Sequence, residues 1–342
     1  PGTGIQPFLP PKPLRSNESA LRNLKTGFKN YVLGPPLAAV KLVLIAALGV
    51  VAAVLNGLGV VLIFAPIRRA WSVTINAVFF RTILFLFGFY WIDSSLSSTR
   101  KGWVVGVERR AWHLVGAASV RSGDIIVANH ASYIDILYLA FRFSPTFLHI
   151  SRNGRVRPIT MWDALTSVGD YPVLDAAEDK LTLIEAADRA REGSGGPVVV
   201  FPEGTSSNGR GLLKFFPVFS AIEPEALKGR LVILALKYSY EEFCPSFTVG
   251  NRLSHVFWLL CQFSNDLQVK QLPPDEVTLS ATARDAGSFN MEEGVVGSQI
   301  GTLLGHMFRH RKTGMGAKDK QDFLDYYLER TAGQRRKGRK GE

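Results

Sequence analysis

Two long apolar stretches stand near the N-terminus of the 342-residue chain. The first, Leu42–Ala65, is apolar except for Asn56. As a helix it would span about 36 Å, against about 30 Å for the hydrocarbon core of a bilayer. The second, Trp71–Ile92, contains Arg81, and an arginine at the bilayer centre costs at least about 2.5 kcal/mol. We therefore predict a membrane-anchoring helical hairpin over residues 37–92 that dips into one leaflet, with both ends cytosolic. The alternative is a buried helical pair in a soluble protein.

After the second stretch the pattern changes to short β-rich runs that alternate with helical periodicity. Strands are predicted at Trp103–Val107, Asp124–Ala128, Thr146–Ile150, Tyr171–Leu174, Pro197–Phe201 and Leu231–Tyr238. Helices are predicted at Ile134–Phe143, Lys180–Glu192 and Pro224–Leu227. This alternation predicts an α/β domain over residues 93–275, with a mainly parallel or mixed sheet flanked by helices. Leu253–Phe263 is apolar on most faces and fits either a membrane interface or the core.

The two ends of the chain differ from this central part. Residues 1–36 are rich in Pro and Gly and are predicted to be a disordered cytosolic leader, not a packed element or a signal peptide. Helical patterns at Gly297–Arg309 and Lys318–Arg330 predict a helical extension over residues 276–342. Its basic tail, Arg335–Lys340, is predicted to be disordered. Beside a membrane anchor, such a tail could also hold anionic lipid.

Charge and cysteine content limit the partners and the compartment. The net charge is +11 and the isoelectric point is about 9.7, which fits nucleic acid, an anionic membrane surface or a phosphorylated substrate. The apolar N-terminal third favours the last two. Without an RNA-recognition signature, a zinc finger or a basic heptad region, no nucleic-acid partner is expected. The two cysteines, Cys244 and Cys261, exclude a disulfide framework and suit a reducing, cytosol-facing location.

The first candidate for chemistry is the run from Ile125 to Asp135, where an apolar strand is followed by a histidine and then a helix. Residues five apart on one helix point about 140° apart. His130 and Asp135 can therefore meet only if His130 lies on the loop before the helix, where the strand-to-helix break puts it. A carboxylate bonded to one imidazole nitrogen fixes the tautomer and leaves the other nitrogen able to accept a proton. The alternative is a helix cap beside an exposed histidine.

The second candidate is the run from Val198 to Arg210. A buried strand leads directly into a turn that is rich in glycine and hydroxyl groups and carries one carboxylate, Glu203. Ligands of α/β sheets bind beyond the carboxyl ends of the strands, and both candidate segments fall there. Taken alone, this turn is also compatible with an ordinary surface turn.

Together, Asn129-His130 with Asp135, followed by Phe-Pro-Glu-Gly-Thr from Phe201 to Thr205 after a β run, resemble the glycerolipid acyltransferase family. This family includes lysophosphatidic acid and lysophosphatidylcholine acyltransferases. The resemblance covers roughly residues 95–275, and the two apolar helices are similar to the family's membrane anchor. The stretch that begins at Phe201 looks closest to the lysophospholipid branch. The whole chain resembles the fungal lysophosphatidic acid acyltransferases of endoplasmic reticulum and lipid droplets.

The resemblance implies that His130 is the general base and Asp135 its orienting partner. The family's acceptor-binding segment matches Phe201, Pro202, Glu203, Gly204 and Thr205, and Asn129 is placed with them. His130 would remove the proton of the acceptor hydroxyl as its oxygen attacks the thioester carbonyl of acyl-CoA. Backbone N–H groups would stabilise the oxyanion, and the CoA thiolate would leave. No acyl-enzyme is required, and the chain has no Gly-x-Ser-x-Gly elbow for an activated serine.

Two positions depart from the family pattern. Asp175 stands where the second motif usually ends in an arginine that holds the acceptor phosphate, and Ser206 stands where the third motif often continues with arginine. Arginine suits phosphate because of its fork of donors, and the arginines that could substitute are Arg152, Arg155, Arg157 and Arg210. A solvated basic loop is the alternative for residues 152–157. The fourth motif, Leu231–Leu236, keeps its apolar character without its usual prolines.

The leading hypothesis is an enzyme that acylates lysophosphatidic acid with acyl-CoA as co-substrate, giving phosphatidic acid. One alternative keeps the chemistry but uses lysophosphatidylcholine, another lysophospholipid or glycerol 3-phosphate as acceptor. Another is a non-catalytic lipid-binding membrane protein. The expected location is the endoplasmic reticulum membrane, lipid droplets or both, with the catalytic domain facing the cytosol. No cofactor or metal is expected, and the other histidines, which lack ligand spacing, are predicted to be core or surface residues.

Overall fold

A computed structural model of the protein describes residues 6–11, 26–97, 120–175, 180–193, 195–280 and 292–338. The helices are α1 (Gly34–Leu58), α2 (Ala65–Leu86), α3 (Tyr133–Phe143), α4 (Met161–Ser167), α5 (Leu183–Glu192), α6 (Pro224–Leu227), α7 (Arg252–Leu260), α8 (Gly294–Phe308) and α9 (Ala317–Gly338). The strands are β1 (Ile92–Leu96), β2 (Ile125–Ala128), β3 (Thr146–Ile150), β4 (Val156–Ile159), β5 (Val198–Val200), β6 (Gly211–Leu212), β7 (Leu231–Ser239), β8 (Asp266–Gln271) and β9 (Arg311–Lys312).

The main sheet has seven strands in the order β1-β8-β7-β2-β5-β3-β4. Its four central strands, β7, β2, β5 and β3, run parallel. The edges are mixed: β8 is antiparallel to β7, β1 is parallel to β8, and β4 is antiparallel to β3. Strands β6 and β9 form a separate parallel pair. The predicted α/β class, with a mainly parallel or mixed sheet flanked by helices, is confirmed.

Apolar side chains fill both faces of the sheet. One face packs against α1, α2, α3, α4 and α7, and the other against α5, α6 and α8. Ile300 and Leu304 of α8 are almost completely buried in the second layer. Helix α8, which belongs to the predicted helical extension over residues 276–342, therefore closes one side of the core.

Several predicted elements need correction. The predicted strand Trp103–Val107 lies outside the described residues. The predicted strand Tyr171–Leu174 is wrong: this segment pairs with no strand among the described residues. It instead bonds to α9, where Gln321 Nε2 donates to the carbonyl of Pro172 at 2.8 Å. Strand β8 was not predicted, because the polar residues alternating along Asp266–Gln271 weaken its apolar signal.

Helices α1 and α2 form the predicted hairpin, with polar contacts between them. Asn56 Nδ2 donates to Asn76 Oδ1 at 3.2 Å, and Ser72 Oγ donates to Asn56 Oδ1 at 3.1 Å. The indole of Trp71 donates to the carbonyl of Leu55 at 2.9 Å. Hydrogen bonds between helices in an apolar surrounding contribute about 0.6–2 kcal/mol each. These contacts hold the two helices side by side.

The base of the hairpin is joined to the α/β domain. Lys41 is buried and donates to the carbonyls of Leu260 and Gln262 at 2.9 and 2.8 Å, at the C-terminal end of α7. Arg81 donates to the carbonyls of Phe89 and Tyr90 at 3.1 and 2.7 Å. Arg81 is thus used near the end of α2 to bond the backbone that leads into β1.

Parts of both termini are ordered where the sequence predicted disorder. The predicted disordered leader is wrong for residues 26–36, because a short π-helix (Lys29–Leu33) leads into α1 at Gly34. It is also wrong for residues 6–11, where Phe8 is buried and the backbone bonds to Asn208. At the other end α9 continues through Gly338, into the predicted disordered basic tail.

Candidate active site

The candidate site is assembled by the register between two parallel strands. Val127 of β2 lies opposite Val200 of β5. The residues three positions further along each strand are His130 and Glu203, so the two turns leave the same edge of the sheet side by side. The backbone N–H of His130 donates to Glu203 Oε1 at 3.0 Å. Sheet topology thus joins two segments that are far apart in the sequence.

His130 and Asp135 are in contact. His130 Nδ1 lies 3.2 Å from Asp135 Oδ2, and the carboxylate is completely buried. The imidazole is almost buried and stacks on Phe201, with ring centroids 4.2 Å apart and planes inclined by 21°. His130 lies on the loop between β2 and α3, as the geometric argument from the sequence required. Its Nε2 is the nitrogen that is not engaged with Asp135.

Asp135 also caps α3. Its Oδ2 accepts from the backbone N–H groups of Ala131 and Ser132 at 2.7 and 2.8 Å, and with Ser132 it completes a capping box. Its Oδ1 accepts from the hydroxyl of Tyr238 at the end of β7. The sequence offered a helix cap and a histidine partner as alternatives for this carboxylate. The structure combines them, because one oxygen serves both.

Glu203, which was predicted to bind substrate, is turned into the protein in the structure. The side chain is 1% exposed, and its second oxygen accepts from the backbone N–H of Leu213 at 2.9 Å. Burial raises the pKa of Glu203 to about 8, although the two amide hydrogen bonds and Lys320 oppose that shift. One oxygen of Glu203 bonds the turn of His130 and the other bonds Leu213, the residue after β6, so the side chain holds these two segments together.

Asn129 and Pro202 likewise have structural surroundings. Asn129 Nδ2 donates to the carbonyl of Leu236 at 3.0 Å, and Asn129 Oδ1 accepts from the N–H of Leu236 at 2.8 Å. The amide thereby continues the pairing of β2 with β7 beyond the end of β2. Pro202 is buried, and its carbonyl accepts from the N–H of Phe216. Both residues therefore help to position the turns, and the substrate-binding role that was expected of them stays a prediction.

Three other predicted residues, Phe201, Gly204 and Thr205, border a cleft of about 90 Å³ at this end of the central strands. The polar end of this active-site cleft is lined by His130, Gly204 and Thr205. Its walls are mostly apolar, with side chains from Ile136, Phe147, Leu148, Ile159, Ala164 and Phe201. An apolar channel that ends at a buried imidazole–carboxylate pair suits an apolar substrate with one reactive polar group.

Gly204 has to be glycine at this turn. Its φ is +65°, and a Cβ would lie 2.1 Å from the ring of Phe216. Glycine adopts this left-handed conformation at little cost, whereas a larger side chain would be strained there and would also clash. The small residue therefore sets the path of the turn beside the cleft.

The predicted phosphate ligands are dispersed. Arg152 is exposed on the turn between β3 and β4, and neither it nor the exposed Asp175 lines the active-site cleft. Arg210 lies on the other side of the turn that contains His130, where its guanidinium donates to the hydroxyl of Tyr240 at 3.2 Å. Across the described residues, no three His, Cys, Asp or Glu side chains are grouped closely enough to hold a metal ion.

Lys320 is a buried cation at the site that sequence analysis missed. Its side chain is 0% exposed on α9, and Nζ donates to the backbone oxygen of Ser206 at 2.7 Å and to its hydroxyl at 3.1 Å. The same hydroxyl accepts from the N–H of Gly169 at 3.2 Å. Ser206, the departure from the family pattern, is thus the point where α9 fixes the turn. No local sequence signal marks Lys320, because the contact crosses 114 positions.

We expect Lys320 to give the protein a stability that rises with pH above neutrality. Burial lowers the pKa of Lys320 from 10.5 to about 7. Between these values the unfolded chain binds more protons than the folded one, so the free energy of unfolding increases with pH, by about 1 kcal/mol per pH unit. Below about pH 7 both states are protonated and the contribution is constant.

The measurement is thermal unfolding in detergent across that window for wild type and Lys320→Met. The wild type should gain stability relative to Lys320→Met as the pH rises. Lys318→Met, on the exposed face of the same helix, is the matched control and should follow the wild type. A constant difference between wild type and Lys320→Met across the window would contradict the assigned shift.

Comparison with known proteins identifies the class. Residues 113–223 match the family model named Acyltransferase, and this range contains both the His130–Asp135 segment and the turn around Glu203. This part of the chain is therefore similar to the Acyltransferase family. The resemblance to glycerolipid acyltransferases inferred from the two motifs is confirmed.

Individual relatives agree with this class. The lysophospholipid acyltransferase LPEAT1 of Arabidopsis thaliana is 31% identical over 209 residues, covering 56% of this chain and 50% of its own length. A protein of Schizosaccharomyces pombe, provisionally named as a lysophosphatidic acid:oleoyl-CoA acyltransferase, is 27% identical over 245 residues, covering 69% and 74%. The match thus spans about half the length of the Arabidopsis relative. The crystal structure of the 1-acyl-sn-glycerophosphate acyltransferase PlsC from Thermotoga maritima superposes with a TM-score of 0.40 and 16% identity, over 80% of this chain and 93% of PlsC.

Proposed function

We propose that this protein is an acyl-CoA-dependent acyltransferase that converts lysophosphatidic acid into phosphatidic acid. The observation that carries the proposal is the His130–Asp135 pair at the polar end of an apolar cleft. The family match and the names of the relatives support the reaction class. The apolar walls suit the start of a fatty acyl chain, and an imidazole beside them suits a general base for the acceptor hydroxyl.

In the proposed reaction, Nε2 of His130 takes the proton of the acceptor hydroxyl while the hydroxyl oxygen bonds to the thioester carbon. Asp135 accepts from Nδ1 and stabilises the imidazolium that forms. The C–S bond then breaks, the ester remains on the acceptor, and the CoA thiolate takes the proton back from His130. Acyl-CoA is consumed as co-substrate, and no other cofactor is needed.

The experiment that tests the substrate uses purified protein, labelled oleoyl-CoA and a panel of acceptors. We expect lysophosphatidic acid to be acylated with the highest kcat/KM, ahead of lysophosphatidylcholine, lysophosphatidylethanolamine and glycerol 3-phosphate. A preference for another lysophospholipid would instead support the second candidate, an acyltransferase of that acceptor. Asp175 and Ser206, which replace the family's usual phosphate-binding arginines, are the observation that favours this candidate. Transfer to none of the acceptors would overturn both.

We further propose that the α1–α2 hairpin inserts into the membrane of the endoplasmic reticulum or of lipid droplets, with the α/β domain in the cytosol. Among the described residues, one helical stretch, Thr26–Val61, is long and apolar enough to cross a bilayer, and only 17% of its most apolar window is buried. The hairpin tip is especially exposed, with Ile63 at 89% and Phe64 at 70%. Such apolar surface is stabilised by lipid.

The hairpin predicts a membrane-binding defect from substitutions at its tip. Ile63→Glu combined with Phe64→Glu should release a large fraction of the protein from membranes, because each acidic residue costs up to about 3 kcal/mol within the hydrocarbon. The measurement is flotation with liposomes after carbonate washing. Tyr326→Glu on the exposed surface of α9 is the control and should still float. Unchanged flotation of the double variant would contradict insertion of the tip.

A further inference from the structure

A second cavity, of about 310 Å³, lies on the other side of the turn that carries His130. We call it the cationic pocket. Ala131, next to the proposed base, forms part of its wall, and so does Tyr238, which donates to Asp135. The cationic pocket and the active-site cleft therefore approach the same imidazole–carboxylate pair from two sides. A volume of this size falls in the range of ligand sites.

The chemistry of the cationic pocket differs from that of the cleft. Its lining includes Arg210, Lys237, Arg309 and His310, together with the phenol of Tyr240. No aspartate or glutamate is among its lining residues in the described part of the chain. Guanidinium, ammonium, imidazole and phenol groups are hydrogen-bond donors that suit phosphate oxygens. The lining therefore selects for anions.

The cations come from three separate segments that the fold brings together. Arg210 follows the turn of Glu203, and Lys237 lies near the end of β7. Arg309 ends α8 with a left-handed φ of 55°, at the position where helices most often have glycine. A non-glycine residue in this conformation costs about 1 kcal/mol. Arg309 adopts this conformation despite the cost, and it borders the cationic pocket.

We propose that the cationic pocket binds a phosphate group of a substrate during acyl transfer. This inference rests on the proposed function, in which both substrates carry phosphate: the acceptor as a monoester, and acyl-CoA as a monoester and a diphosphate. It also explains how the chain can act without arginine at Asp175 and Ser206. Ser206 accepts hydrogen bonds from Lys320, and Asp175 is exposed and lines neither cavity. The phosphate-binding cations have moved to the other side of the same turn.

The first test is direct binding of inorganic pyrophosphate to the full-length protein in detergent, by calorimetry. Removing one charged hydrogen-bond partner should weaken binding by about tenfold to hundredfold. We expect this for Arg309→Gln and for Lys237→Gln. The matched control is Lys270→Gln, because Lys270 lies over the same ring as Lys237, that of Phe308, but does not line the cationic pocket.

A second variant separates binding from folding. Arg309→Gly removes the guanidinium but places the residue that favours φ of 55° at the end of α8. It should fold at least as stably as wild type and still lose pyrophosphate affinity. Equal affinity in wild type and in the three pocket variants, or an equal loss in Lys270→Gln, would overturn the proposal.

The second test identifies the source of the phosphate through steady-state kinetics. If the cationic pocket binds CoA, the variants should raise KM for oleoyl-CoA by about tenfold to hundredfold, with KM for oleoyl-pantetheine and for the acceptor unchanged. If it binds the acceptor, KM for lysophosphatidic acid should rise and KM for monoacylglycerol should not. If the wild type is active and the variants have unchanged KM values for both substrates, the proposed role of the cationic pocket is wrong and the proposed function is unaffected. Pyrophosphate binding that depends on Arg309 in a protein without any transferase activity would sink the function and leave the pocket standing.

Discussion

His130→Ala is expected to lower acyl transfer by about 10²–10⁴-fold, the range contributed by a positioned general base. The imidazole lies at the polar end of the active-site cleft with Nδ1 on a buried carboxylate, so no proton acceptor would remain at that position. The fold should persist, because the substitution removes one stacked ring and leaves the backbone bond from His130 to Glu203. The measurement is kcat with oleoyl-CoA and lysophosphatidic acid, together with flotation to confirm membrane binding.

Substitutions of two other histidines test whether the loss of activity is specific to His130. His306→Ala, on the exposed side of α8, should have wild-type activity. His149 also lines the active-site cleft, from β3, and is the rival base. His149→Ala should lose much less activity than His130→Ala. Full activity in His130→Ala, or the larger loss in His149→Ala, would remove His130 from the proposed mechanism, and transfer unaffected by both substitutions would favour a different kind of catalysis.

Asp135→Asn is expected to lower kcat by about 10²–10⁴-fold with little change in KM. The neutral amide can keep contact with His130 but cannot stabilise the imidazolium that forms as the proton is transferred. The side chain is completely buried and accepts from Ala131, Ser132 and Tyr238. Because the amide nitrogen can accept from none of these donors, the substitution should also cost about 1–3 kcal/mol of unfolding free energy.

Tyr238→Phe separates these two effects. It removes the hydroxyl that donates to Asp135 Oδ1 but keeps the negative charge and the cap of α3. Stability should fall by about 1.5–3 kcal/mol, because the hydroxyl donates to a buried charged group, and kcat should fall far less than in Asp135→Asn. Measured kcat and thermal unfolding of both variants test this order. An activity loss in Asp135→Asn no larger than in Tyr238→Phe would show that the charge of Asp135 is not used in the reaction.

The sequence was sufficient for the local part of the site. His130 follows a buried strand, Ser132 and Asp135 form a capping box, and this combination depends on residues within a few positions of each other. Local spacing therefore predicted that His130 lies on the loop and that Asp135 can reach it. The same holds for the apolar stretches that became α1 and α2, because their length and composition already specify long helices.

The sequence could not show which side chains of the turn from Phe201 to Thr205 point into the protein and which face the cleft. Glu203 is the one carboxylate in a glycine-rich turn at the sheet edge, which suggested a ligand-binding role. It is turned inward because the β2–β5 register places the N–H of His130 beside it, and Leu213, which follows β6, donates its N–H to the other oxygen. Whether such a side chain faces a ligand or bonds to the backbone depends on which strands are neighbours in the sheet. Strand order cannot be read from a short stretch of sequence.

The amino-acid sequence by itself determined the α/β class, the apolar hairpin and the histidine–aspartate pair, since each arises from interactions between residues close along the chain. Only the tertiary structure decided the rest: that Glu203 and Asn129 fasten strands together, that Lys320 reaches the turn from the last helix, and that Arg210, Lys237 and Arg309 share one pocket. Those contacts join residues that are distant along the chain. They form because a polar group that is buried without a hydrogen-bond partner costs free energy, so each buried polar group needs a partner that only the complete fold supplies.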